Sequence, residues 1–164
     1  MNELNYNKQL LICGVIFTLH NIEESVGYAH FTFPDNINLP FSPPTAQPMV
    51  WSIVSITVIA WLIFLFTVWS KKENLKQDVF AVTITVFLIN ALFPHIVSAI
   101  VLQRYTPAVV TSVLLYLPYT FVMLPKLYRS YQPRSAYFKL AVTWVLIVAL
   151  MTVGLQLVMK FIFE

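Results

Sequence analysis

The chain has 164 residues, 59% of them hydrophobic and 10% charged, with a mean hydropathy of +0.75 and a formal net charge of +3. A soluble domain needs a more polar surface than this composition supplies, so the chain is expected to be an integral membrane protein. The small positive charge calls for no nucleic-acid partner.

Five apolar stretches reach the roughly 20 residues that cross a bilayer core. They lie at about 9–30, 49–70, 79–103, 107–128 and 137–162. The fold class expected is therefore all-α, a single membrane domain of about five transmembrane helices with a Pro-rich outer loop at 31–48. The first stretch opens with Lys8 and the run Leu10-Leu11-Ile12-Cys13, which resembles the start of a signal peptide. No small-x-small cleavage site follows, and Ile12 is too large to precede a lipoprotein cysteine, so a retained helix is expected. Cys13 is the sole cysteine, which excludes an intrachain disulfide and a thiolate metal cage and leaves it a packing role.

The second half of that helix carries His20-Asn21-Ile22-Glu23-Glu24. An acid at a helix centre costs about 2.5–3.5 kcal/mol on insertion scales, so two glutamates need pairing, solvation, neutralisation or a metal. Residues three and four apart share a helix face, which puts His20, Glu23 and Glu24 in one stripe. Cys13 and Gly27 extend the stripe with small residues that admit a neighbouring helix. His30 falls at the outer helix end, at the interface, where a third imidazole would be able to close a site.

The segment 31–48 holds five of the ten prolines, interleaved with Phe31, Phe33, Leu39 and Phe41. It is too apolar for a floppy linker and is expected to form a cap over the outer interface. Lys8, Lys71, Lys72, Lys76, Lys126, Arg129, Arg134 and Lys139 fall on one side of five spans, against Arg104 and Lys160 on the other. The positive-inside rule then places the N-terminus in the cytoplasm and the C-terminus outside.

The third stretch brings Asn90, Pro94 and His95. Counted at about 1.5 Å per residue, His20 and Asn90 both come near mid-membrane, with Glu23, Glu24 and His95 some 5–7 Å further out. Pro94 cannot donate to the carbonyl of Asn90, so a kink is expected to redirect His95. Two imidazoles, two carboxylates and an amide at one depth make a site for a divalent metal ion, Zn²⁺ above others. His20, Glu24 and His95 are the expected metal ligands, with Glu23 as catalytic acid/base and Asn90 as a ligand, supporting or substrate-binding residue; the two glutamates are interchangeable at this stage. A four-carboxylate di-iron centre lacks the acids it needs. Histidines that merely bond the glutamates and hold the bundle together are the structural alternative.

Beyond the third stretch, Arg104 stands alone as a base in a short outer loop beside Tyr105. Its guanidinium suits a phosphate head group or a substrate carboxylate, and equally an interfacial anchor. Tyr105 is a candidate catalytic residue, and Tyr116 and Tyr119 are further hydroxyls able to face the cluster.

His20-x-x-Glu23-Glu24, then Asn90 with His95, then Arg104-Tyr105-Thr106-Pro107 followed by Thr111 and Pro118, resembles the HXXEE-motif family of bacterial membrane proteins. The likeness runs from about residue 16 to the end of the fourth helix. It implies that His20, Glu23, Glu24, Asn90, His95, Arg104, Tyr105 and Pro107 match the family's positions; it assigns no activity. Two departures stand out: Ala108 where glycine is expected after the proline, and Pro94 just before the histidine.

The function these features suggest is a metal-dependent membrane hydrolase or transferase acting on a lipid or other hydrophobic membrane-resident substrate. Two other classes fit less fully. One is a proton-coupled small-molecule transporter using Glu23 or Glu24, which at this length needs a homodimer. The other is a non-catalytic metal or ligand-binding protein.

Overall fold

Backbone amides in lipid find no water, so an apolar chain satisfies them inside helices. The computed structural model describes residues 4–32, 45–131 and 133–163, and among the described residues it is helical with no strand. Five helices are long and apolar enough to cross a membrane: Tyr6–His30, Ala46–Trp69, Glu73–Leu102, Val109–Ser130 and Arg134–Phe163. The loop expected at 31–48 falls mostly on residues 33–44, outside the described residues, and residues 46–48 already belong to the second span.

The third span starts at Glu73 rather than near 79. An acid in the first turn suits the positive end of the helix dipole, and Glu73 also pairs with Lys76 at 2.8 Å. Around Pro94 the expected kink is present. Residues Ala91–Ile96 form a widened, π-helical stretch in which Phe93 has left helical geometry, with φ −137° and ψ 117°. The Phe93–Pro94 peptide is cis. A second π-helical stretch, Ser112–Tyr116, precedes Pro118 in the fourth span; Pro118 has no N–H for the carbonyl of Leu114, which lies inside that stretch. Widened turns of this sort are concentrated at functional sites.

Packing explains how the spans are held. Gly14 lies against the indole of Trp61 so closely that a Cβ there would stand 2.7 Å from the ring. The indole N–H donates to Thr18 at 2.8 Å, and Asn21 donates to Thr57 at 2.6 Å, so the first two spans are stitched along one seam. Leu10, Cys13, Phe80, Ile84, Phe87 and Tyr116 form the buried centre between the first, third and fourth spans. By contrast Leu150, Leu157 and Phe161 of the fifth span face outward, as lipid-contacting side chains do.

Candidate functional site

Two of the three histidines are buried side by side, His20 at 0% and His95 at 4% exposure. Their rings meet edge to face with centroids 4.8 Å apart. His20 comes from the middle of the first span; His95 is delivered by the kinked stretch that Pro94 creates in the third.

Each imidazole is anchored through Nδ1. His95 Nδ1 lies 2.7 Å from the carbonyl of Pro107, which only accepts, so Nδ1 carries the proton and Nε2 carries the lone pair. His20 Nδ1 lies 3.0 Å from the Thr111 hydroxyl, whose own proton goes to the Ala108 carbonyl. The Thr111 oxygen therefore accepts from His20, and the His20 Nε2 is likewise a lone pair. Between the two Nε2 atoms sits the amide nitrogen of Asn90, at 3.1 Å from His20 and 3.3 Å from His95, donating one hydrogen to each.

Glu24 completes the group: one ligand atom each from His20, Glu24 and His95 lies within 4.8 Å of the others. Among the described residues no side chain or backbone group hydrogen-bonds the Glu24 carboxylate. Its neighbour points elsewhere. Glu23 accepts the backbone N–H of Thr111 at 2.7 Å, that of Val110 at 3.1 Å and the Tyr105 hydroxyl at 3.0 Å. It thus caps the start of the fourth span and holds Thr111 where it meets His20. A one-residue step on a helix turns the side chain by about 100°, which is why adjacent acids serve different places.

The loop between the third and fourth spans is shaped to bring its carbonyls inward. Gln103 and Ala108 adopt left-handed backbone, with φ 50° and 63°. Position 108, where glycine was expected, does take the conformation that favours glycine. Thr106 donates to the His95 carbonyl at 3.0 Å, and Pro107 packs on Gly27 so closely that a Cβ there would stand 2.8 Å from the proline Cβ.

Arg104, Tyr105 and His30 do not enter the histidine cluster. They line a cleft of about 540 Å³ together with Glu23, Gly27 and Phe31. Arg104 donates to the carbonyl of Thr32 and lies over the Phe31 ring, 4.7 Å from its centroid. Partial burial, and then its bond to the Glu23 carboxylate, push the Tyr105 phenol up to about 12, so it stays protonated and donates at neutral pH.

Sequence reasoning did not foresee Thr111 and the Pro107 carbonyl as the anchors of the two rings. Thr111 carried a signal only as part of the motif spacing, and a carbonyl carries none. Tyr116 does face the cluster, stacked on His20 at 4.1 Å and on Phe87 at 4.0 Å. Tyr119 turns away, toward Gln9 at 2.7 Å.

Over residues 11–123 the sequence matches the family described as "Protein of unknown function with HXXEE motif". It is 28% identical over 102 residues to the uncharacterized protein YrkK of Bacillus subtilis (strain 168), a match covering 62% of this chain. The chain spans 63% of the length of that curated relative. No solved structure matches it.

Proposed function

Since the chain belongs to the HXXEE-motif family, the roles of its motif residues rest on geometry, and we propose that His20, Glu24 and His95 bind a divalent metal ion in a membrane enzyme. The observation that carries this reading is the pair of buried imidazoles whose Nδ1 atoms are tied down and whose Nε2 atoms both face Asn90, in a group that brings ligand atoms of His20, Glu24 and His95 within 4.8 Å of one another. Metal-binding histidines are oriented in this way, with the second ring nitrogen donating to a carbonyl or other acceptor. Two histidines and one glutamate are also a catalytic zinc set, leaving a fourth position open. Ligand atoms on tetrahedral zinc stand about 3.4 Å apart given bonds near 2.1 Å. The ligand atoms, within 4.8 Å of one another, would have to close by about 1.4 Å to reach that spacing.

A divalent ion there supplies Lewis acidity and an activated water, the requirements of hydrolysis or group transfer. The chain's own residues do the rest. The Asn90 amide occupies both Nε2 lone pairs and has to turn aside before a metal binds there. Glu23, with three donors on its carboxylate, positions the Thr111–His20 pair and keeps one acceptor site on Oε2 for the expected acid/base role. Burial of the cluster among the spans favours a lipid or other membrane-resident substrate over a water-soluble one. The cleft lined by Arg104, Tyr105 and His30 would receive its polar part.

The test is elemental analysis of detergent-purified protein beside His20→Ala, His95→Ala and Glu24→Gln. Near-stoichiometric metal lost in all three variants supports the reading, and metal-dependent turnover of phospholipids in mixed micelles would then identify the reaction. A folded wild-type protein that takes up neither native metal nor added Zn²⁺ sinks it and leaves a proton-coupled transporter as the better starting point.

A further inference from the structure

Three hydroxyls in the fourth span, those of Ser112, Tyr116 and Thr120, are fully buried, and none has a hydrogen-bond partner among the described residues. Unpartnered buried hydroxyls are destabilising and few in native proteins, and the usual remedy is internal water. Their spacing is regular. They recur at every fourth residue, on one broad face of the span.

The middle member of this stripe, Tyr116, stacks directly on His20, so the stripe runs past the histidine cluster. The hydroxyl of Tyr119, the residue before Thr120, lies on a different face of the span. That hydroxyl donates to the Gln9 side chain at 2.7 Å and receives the Cys13 S–H at 3.9 Å. Gln9 is only half-buried and follows Lys8, at the end of the bundle where Lys71 and Lys72 also lie.

We propose that Ser112, Tyr116 and Thr120 line a file of internal water beside the His20–Glu24–His95 cluster, and that protons exchange along it. Such a path would let the cluster gain and lose protons without opening the outer cleft. It holds whether or not the cluster carries a metal, so its test is separate from metal analysis.

The experiment is a transfer into D₂O of the full chain reconstituted in lipid bilayers. Two protons are followed: the S–H of Cys13 by infrared spectroscopy, unique because the chain has one cysteine, and the ring N–H of His20 by ¹⁵N-histidine NMR. In the wild type both are expected to deuterate within minutes. Tyr116→Phe and Thr120→Val keep shape and remove a hydroxyl; slowing of His20 exchange by at least tenfold in either folded variant supports the file. Equal exchange in both folded variants shows that protons reach His20 by another route and overturns it. Cys13 and His20 still protonated after hours in the wild type would show a dry interior and overturn it as well.

Discussion

The Glu23 carboxylate receives the backbone N–H of Thr111 at 2.7 Å, which ties the middle of the first span to the start of the fourth. The same threonine accepts from His20 through its hydroxyl, so one acid of the motif sets the ring of its histidine through a residue 88 positions away.

Glu23→Gln places an amide group against backbone donors and weakens that tie. A hydrogen bond to a charged group contributes about 1.5–3 kcal/mol, and the partial exposure of Glu23 favours the lower end. Chemical unfolding in detergent is expected to show a loss of about 1–2 kcal/mol. Compared with wild type in metal-free protein, Glu24→Gln, with no bond to lose among the described residues, is expected to leave stability within about 0.5 kcal/mol. Equal stability losses in the two variants would contradict the division of roles.

Asn90→Ala removes the amide that occupies both Nε2 lone pairs. Zinc then displaces no hydrogen bond from either ring, so affinity in a competition titration is expected to be unchanged or higher. A weakening of about 10–100-fold, the size typical of a residue that supports a metal site, would contradict the view that Asn90 competes with the ion for the rings.

Thr111→Val tests one of those anchors with little change of volume. The His20 ring loses its acceptor while the Thr111 backbone bond to Glu23 stays. Zinc affinity is expected to fall about tenfold or more, whereas the unfolding midpoint falls far less than in Glu23→Gln. An intact affinity would count against the assigned His20 tautomer.

Gly27→Ala drives a methyl to 2.8 Å from the Pro107 Cβ and 2.9 Å from its Cα. A backbone neighbour cannot swing away, so overpacking should cost about 1–3 kcal/mol and shift the carbonyl that receives His95. Gly154→Ala, with nothing within 4 Å, is the control expected to change little. Comparable melting temperatures for the two variants would contradict the close Gly27–Pro107 contact.

Much of the site was legible because a polar run in an apolar chain is conspicuous. His20, Glu24, Asn90 and His95 were found from composition contrast and from depth counting, which depends only on the helical rise. The kink at Pro94 followed from a missing N–H. The separation of Glu23 from Glu24 was not legible, since a stripe about 100° wide admits both and only a neighbour's position chooses between them. The third span's early start at Glu73 was also missed, because polar residues beyond the apolar core still extend a helix.

By itself the sequence determined the class and the ingredients: an apolar chain must close its backbone bonds in helices, and buried His and Glu must find partners there. Only the tertiary structure decided which partners. The anchors of the two imidazoles are a threonine hydroxyl and a proline carbonyl in the turn between the third and fourth spans, 91 and 12 residues from the rings they hold. A carbonyl is present at every residue, so nothing in a side-chain alphabet marks the one that a left-handed Ala108 and a close Gly27 bring within hydrogen-bond reach.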